Sequence, residues 1–434
     1  MAAPIRRSSR VRKVPMYLLP IHVPIYVDGA RNLLTSEWSR ALELLRDSLA
    51  GRVGPLVVVA PCLPAELAAP DQTLVTQSSE CGIEFERGFD LRCRARDYWL
   101  HARSAWRQTL LRLTREAEVV HAGLDDVYRP IAFEGFRVGV QLNKVTLFVQ
   151  DTDIVIQQRE LTATAGTVPR AQARAYGWIF ERMCRWSVAR ADLSLLKGSA
   201  LMRRYGLFAR NPKEFHDTSF SSRDIIDQDR LESRLGTLGQ SRPLRLVYCG
   251  RLTQRKGLSS SLQILARASA RGAQLRLDII GNGPERAALE QLAGALGIAD
   301  QVSFLGALPY DAALLQRLGQ YDALLFTPTA EDTPRMIFDG YAAGLPLLAF
   351  DIDYTQERAR QERATVLLPR GQNEAAASVV NELHLQRERL HDLSRNARAA
   401  AIYHCADNWY ARRAQWTFEA IERRKAAVTV QVAA

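Results

Sequence analysis

Between Leu244 and about Phe350 the chain alternates short apolar runs with segments of helical period, and this alternation narrows the possible folds more than any other feature. Leu246–Cys249, Leu275–Ile280 and Ala323–Phe326 read as buried strands, each followed by a turn and a longer stretch. The pattern predicts a parallel sheet covered by helices on both faces.

Each strand opens into a loop with its own chemistry. After Leu246–Cys249 come Gly250, Arg251, Lys256 and Gly257. Arg251 offers a planar fork of donors and Lys256 a compact ammonium, a pair suited to the charges of a diphosphate. After Leu275–Ile280 the run Gly281-Asn282-Gly283-Pro284 either lets backbone approach a ligand closely or makes an ordinary turn. After Ala323–Phe326 two carboxylates stand eight residues apart: Glu331 on a loop, and Asp339 inside a helix that Gly344 ends. Pro334 falls near the first turn of that helix. Alone, the two acids would be a helix cap and a surface charge. Beside the upstream loops they can grip sugar hydroxyls while helix-terminal amides favour phosphate, which predicts a nucleotide-sugar site.

Gly250-Arg251-Leu252 with Lys256-Gly257, Gly281-x-Gly283-Pro284, Val302-x-Phe304-Leu305-Gly306 and the spaced acids Glu331 and Asp339 resemble, in order and spacing, the nucleotide-sugar half of the family-4 (group 1) retaining glycosyltransferases. The likeness is close over about 244–350 and looser in the final helix. It implies an α/β GT-B fold: two Rossmann-like domains facing across a cleft, with a C-terminal helix crossing back to the first. It also implies roles. Arg251 and Lys256 would stabilise charge on the leaving phosphate, Glu331 would hold donor-sugar hydroxyls, and Asp339 would bind the ribose. Leu308 and Pro309 would hold the base through their backbone, with Gly250, Gly281, Gly283, Pro284 and Thr333 completing the donor pocket. The donor nucleotide, UDP or GDP, is then a substrate, and no cofactor or metal is implied. Three departures mark this chain. Asp339 stands where the family usually has Glu, Asp332-Thr333-Pro334-Arg335 replaces the usual glycines after the first acid, and Gln150-Asp151 ends the strand that commonly carries a His.

The first half is less regular. Met16–Ile21, Leu56–Ala60, Glu118–His121, Val145–Val149 and Leu193–Leu196 read as strands. The run from Trp38 to Leu49, Tyr98–Glu116 and Ala171–Arg190 read as helices. Residues 62–95 have no clear period and are expected to form an irregular insertion. Asn211–Pro243, polar and turn-rich, is expected to connect two domains. The expected division is 1–215 for acceptor binding, 216–243 as linker, 244–405 for the nucleotide sugar, and 406–434 as crossover helix and tail. On the acceptor side His121 ends a strand, Gln150 can bond a hydroxyl but cannot act as a base, and Asp151 is a candidate carboxylate. Asp151-Thr152-Asp153 also matches an Asp-x-Asp triplet that binds metal in another glycosyltransferase fold. Arg251 and Lys256 already supply that charge, so the metal reading comes second. Lys197, Gly198, Asn211, Lys213, His216 and Asp217 read either as cleft lining or as ordinary linker.

At 434 residues, 47% hydrophobic and 24% charged, the chain has room for two or three domains, each with its own core. No apolar run reaches the roughly 18 residues of a membrane span. The basic start before Val14–Val27 mimics a signal peptide, but Pro15, Pro20 and Pro24 interrupt it, and it is read as the first strand and its exit loop. Six scattered cysteines (Cys62, Cys81, Cys93, Cys184, Cys249 and Cys405) fit a reducing cytoplasm. The net charge is +11, with Arg6, Arg7, Arg10, Arg12 and Lys13 clustered at the start. That cluster reads as a solvated tail or as a foothold on anionic lipid, each cation contributing about 1 kcal/mol. Without interleaved aromatics it does not suggest nucleic acid. The expected function is a retaining, metal-independent glycosyltransferase, cytoplasmic or peripheral at the inner membrane face. It would serve polysaccharide, lipopolysaccharide or other glycoconjugate synthesis by moving sugar to a sugar or lipid-linked acceptor. The alternatives are a catalytically silent sensor or scaffold, and a sugar-nucleotide epimerase on the same fold.

Overall fold

The apolar runs pair into two sheets, ten-stranded in the first half and six-stranded in the second. The computed structural model describes residues 15–69, 72–77, 82–163, 165–239 and 242–433. The basic cluster Arg6 to Lys13, Cys81 and Ser241 lie outside them.

The first sheet contains β1 (Met16–Pro20), β2 (Ile25–Asp28), β3 (Arg31–Thr35), β4 (Leu56–Pro64), β5 (Leu74–Thr76), β6 (Ile83–Asp90), β7 (Ala117–Gly123), β8 (Val145–Gln150), β9 (Leu193–Lys197) and β10 (Pro212–Phe215). Its order is β10-β9-β8-β7-β1-β4-β2-β3-β5, with β6 also on β4. From β10 to β4 the pairings are parallel. Residues 56–60 of β4 are buried throughout, as a strand covered on both faces requires. The second sheet contains β11 (Leu244–Cys249), β12 (Leu275–Ile280), β13 (Val302–Gly306), β14 (Ala323–Phe326), β15 (Leu347–Phe350) and β16 (Thr365–Leu368). It is ordered β13-β12-β11-β14-β15-β16 and is parallel throughout. Strand order reverses between β11 and β14, and ligands of such sheets bind beyond the strand ends at that point. The two-domain α/β architecture is GT-B.

Three segments differ from expectation. The stretch read as an irregular insertion carries β6, which lies parallel on β4 from Leu56↔Ile83 to Cys62↔Asp90. Its charged residues Glu84, Glu86 and Arg87 break the apolar signal. The exit loop after β1 contains β2, which turns into β3 as a hairpin. The supposed linker holds β10 and a helix, Gln228–Gly236, whose N-cap Asp227 accepts from the Arg230 amide and whose Leu231 and Leu235 enter the second core. A further helix, Ile131–Gln141, is not evident in the sequence: eight of its eleven residues are buried and its exposed polar side is narrow, Arg137 and Gln141.

The chain crosses between domains twice. The final helix, Ala406–Ala433, places Trp409, Tyr410, Ala414 and Ile421 in the core of the first domain. Where it departs, the Ala406 amide donates to the Phe220 carbonyl (2.8 Å) and the Thr218 hydroxyl to the His404 carbonyl (2.7 Å), so the two crossings are bonded together. A second contact joins Ser199, whose amide donates to Glu357 Oε2 (2.8 Å), with Glu357 also ion-paired to the buried Arg358. His216 lies beside this group, with its Nε2 3.7 Å from Glu214 and 3.9 Å from Glu357. Among the described residues no helix is long and apolar enough to cross a membrane, and Cys62, Cys93, Cys184, Cys249 and Cys405 are free thiols.

Candidate active site

Three loops meet at the carboxyl ends of β11, β12 and β13. The Gly250 amide donates to Ile280 O (2.9 Å), the Leu252 amide to Asn282 O (2.9 Å) and the Gly281 amide to Gly306 O (2.7 Å). This mesh explains the glycines. At Gly281, with φ +138°, a Cβ would stand 1.9 Å from the Gly250 carbonyl oxygen, so the small residue makes room for a neighbouring loop. Gly283 meets Leu252 in the same way, and Pro284 follows in the turn before the helix Arg286–Ala295. Gly257, at φ +68°, lies against the Thr327 carbonyl and so ties the loop after β11 to the acid loop after β14.

Arg251 is exposed on the first of these loops. Lys256 is largely buried and committed to a partner. Its Nζ lies 2.6 Å from Asp332 Oδ2, while Arg255 Nη1 lies 2.7 Å from Oδ1 of the same carboxylate. Burial holds the Lys256 pKa below the ordinary lysine value, against the pull of Asp332. Asp332, only 8% exposed, was not recognised from the sequence as a site residue. Its signal was its place directly after Glu331, where glycine is usual.

Glu331 is buried and its Oε1 accepts from the Tyr354 amide (3.1 Å), at the first turn of the helix Asp353–Glu362. Asp339 is buried in the helix Met336–Ala342, and Tyr310, from the loop after β13, donates to its Oδ1 (2.8 Å). Burial raises the Asp339 carboxyl to about 6, and the Tyr310 hydroxyl and Arg335 oppose the rise. Pro334 lies two residues before this helix. Leu308 packs against the second core on the same loop as Tyr310, with Pro309 exposed beside it. Tyr310 is a second residue that motif reading missed.

The acid loop also reaches the first domain at Asp151 and the interdomain connection at Ser219. The Thr333 hydroxyl donates to the Asp151 carbonyl (3.2 Å) and Arg335 Nη1 to Ser219 Oγ (3.2 Å). Between the domains opens a cavity of about 410 Å³, whose second-domain wall is Thr333, Pro334 and Arg335. On the first-domain side it meets His121, Asp151, Lys197 and Asp217, together with His22 and Asp125, which are 2.8 Å apart. Burial raises the Asp151 pKa, with Asp125 and Asp217 adding to the rise and Lys197 opposing it. His121 faces the same space as a neutral imidazole. Burial and then Arg413 push its pKa down to about 3, and its Nδ1 shares a 2.8 Å hydrogen bond with the Tyr17 hydroxyl.

Gln150 is placed elsewhere. It is buried behind the strand, donating to Thr152 O (3.0 Å) and accepting from the Cys184 thiol (3.4 Å), and it does not line the cavity. Asp153 also parts from Asp151: it accepts from the Ile156 amide (3.1 Å) and pairs with Arg204 (3.2 Å) inside the first domain. Of the second cluster, Asp217 and Lys197 line the cavity, whereas His216 sits at the domain contact.

Residues 232–400 match the family described as glycosyl transferases group 1. That match covers the second sheet with its helices and leaves the first sheet outside it. Similar proteins include the 2-deoxystreptamine glucosyltransferase of Streptomyces kanamyceticus, 28% identical over 29% of this chain and 32% of that protein. Another is the lipopolysaccharide core biosynthesis glycosyltransferase LpsD of Rhizobium meliloti, 34% identical over 24% of this chain and 28% of that protein. The matched segments thus span about a third or less of these relatives. Over the whole fold the chain resembles Anabaena HepE, solved in complex with UDP. The TM-score is 0.62, with 15% identity over 93% of this chain and 99% of that one. The loops after β11 and β13 and the buried acids Glu331 and Asp339 all fall inside the matched segment, while the cavity's other wall lies outside it.

Proposed function

We propose that the protein is a retaining glycosyltransferase that moves a sugar from UDP-sugar to an acceptor lodged in the interdomain cavity, without a metal. The observation that carries this reading is the convergence at the strand-order switch point: cations after β11, the base loop after β13 and buried acids after β14. The base is proposed as uracil by analogy with the UDP-bound fold relative.

As the glycosidic bond breaks, negative charge grows on the β-phosphate. Arg251, Arg255 and Lys256 would face that charge, so their attraction strengthens in the transition state. Glu331 would hold donor hydroxyls and Asp339 the ribose. The acceptor hydroxyl would attack on the face the phosphate leaves, with that phosphate taking its proton, so no protein base is required. Asp151, at the cavity wall, would orient the acceptor hydroxyl. Thr333 and Arg335 would hold the domains closed and exclude water that would hydrolyse the donor. We place this activity in glycoconjugate synthesis at the cytoplasmic side of a membrane, with a saccharide or lipid-linked saccharide as acceptor.

A second reading, a silent nucleotide-sugar sensor, draws on the Asp332 carboxylate already occupying the cations. Thermal-shift measurement against UDP, GDP, ADP and their sugar conjugates, with and without EDTA, tests both. Stabilisation by UDP compounds that survives EDTA and is lost in Arg251→Ala supports the donor site. Release of UDP with an axial-configured product supports transfer, while binding without turnover supports the sensor. No shift with any nucleotide refutes both.

A further inference from the structure

The first domain carries an unusual outer face. Of the fourteen large apolar side chains exposed among the described residues, nine lie between Trp99 and Phe208 in the first domain, and ring and hydrogen-bond contacts join several of them into one face. Its spine is the helix Thr167–Val188. Gly177, Phe180 and Cys184 on its inner side are buried, while Arg174, Trp178, Arg182 and Arg185 run along its exposed side at spacings of three and four residues. Trp178 is 64% exposed. The Arg182 guanidinium lies 5.1 Å from the Trp178 ring, and that of Arg185 lies 4.5 Å from the Phe208 ring. The second pair carries the surface onto the short turn Gly206–Phe208, where Leu207 protrudes, 93% exposed.

The face continues toward the cleft. Tyr176 of the same helix packs on Tyr128 at 5.3 Å, and the Tyr128 carbonyl accepts from the Trp99 indole (2.7 Å). Tyr128 stands three residues from Asp125, which lines the cavity.

We propose that this face rests on an anionic bilayer, with Trp178, Phe208 and Leu207 entering the headgroup layer and Arg174 and Arg182 meeting lipid phosphates, while Arg185 stays paired with Glu181 at 2.8 Å. The apolar side of the helix is buried in the core, and on its outer side aromatic rings beside guanidinium groups have the composition of a membrane interface. Arg174 and Arg182 draw the face to negative lipid. A protruding, fully wetted leucine gives nothing to a nucleic acid, and a protein interface would keep charge away from its centre rather than interleave it with the apolar side chains. The surface includes none of the basic first residues, and its Tyr128 end is three residues from Asp125 in the cavity where the proposed function seats the acceptor. That reading enters only there, since it makes a lipid-borne saccharide reachable without leaving the membrane.

The test is co-sedimentation of the full-length protein with vesicles of phosphatidylcholine alone or mixed equally with phosphatidylglycerol. Wild type should bind the mixed vesicles only, and less at high salt. Trp178→Glu combined with Leu207→Glu, both at exposed positions, should lower that binding at least about tenfold. It should leave the thermal shift by UDP unchanged. Arg182→Glu should weaken binding in the same direction. Equal binding by the double variant would overturn the inference and assign the attraction to the first residues. Failure of wild type to bind, or equal binding to both vesicles, would overturn it as well. Since UDP binding is read without vesicles, loss of the donor-site reading would be seen separately.

Discussion

Replacing Asp332 by Asn should weaken the free protein and strengthen its grip on nucleotide. The carboxylate, 8% exposed, is 2.6 Å from Lys256 and 2.7 Å from Arg255. Removing one partner of such a buried group leaves the two cations facing each other, and the loss should be about 2–4 kcal/mol of stability. A donor phosphate reached by the same lysine would lie about 5 Å from the carboxylate. Like charges there repel by about 3 kcal/mol at an effective dielectric of about 20. Water at the cleft mouth and small side-chain shifts should reduce this to roughly 1–2 kcal/mol, or about tenfold in affinity. The paired measurement is a thermal melt of each protein without ligand and calorimetric titration with UDP. Expected are a lower melting temperature for Asp332→Asn and a Kd about tenfold tighter, with UMP affected less because it lacks the second phosphate. A folded variant that binds UDP no better than wild type would refute the view of Asp332 as a competing anion.

Asp339 should make donor binding pH-dependent. With its carboxyl raised to about 6, affinity for UDP should fall about tenfold as pH drops from about 7 to about 5, and Asp339→Asn should remove the step in titrations across that range. The sign for stability is opposite: the group's contribution is fully present below its ordinary value of 3.8 and is lost as pH rises through about 6. Gly257→Ala would place a Cβ 1.8 Å from the Thr327 carbonyl at φ +68°, so it should cost about 3 kcal/mol or more, read as a lower melting temperature. At the domain contact, burial and the neighbouring Glu357 raise Glu214 to about 7. Its stabilisation is present below 4.5 and lost as pH climbs through about 7, so Glu214→Gln should flatten the decline in melting temperature between about pH 4.5 and about pH 7.

The second sheet could be read from the chain because β14 and β15 are wholly apolar, β11 and β12 keep apolar residues at every second position, and the loops after β11 and β14 carry charge. The first sheet hid part of itself. In β6 the charged Glu84, Glu86 and Arg87 interrupt the period, and in the helix Ile131–Gln141 the exposed polar side is too narrow to mark it. The candidate site divides in the same way. Arg251, Lys256 and Asp339 announce themselves by spacing, whereas Asp332 and Tyr310 act through partners 76 and 29 residues away, a relation only the folded chain creates. Gln150 is the reverse case. A strand end suggests access, yet the side chain turns inward because Cys184 and the Thr152 carbonyl satisfy it there.

The return of the final helix to the first domain has a consequence for synthesis. Trp409, Tyr410, Ala414 and Ile421 fill the core around strands made some two hundred residues earlier or more. On the ribosome, the early half must therefore wait with part of its apolar interior open while the contiguous later half emerges and packs. The second domain, later in the message, would be first to finish. A pause or truncation before Trp409 would then strand the other half, and chaperones would meet the chain through the domain it began with.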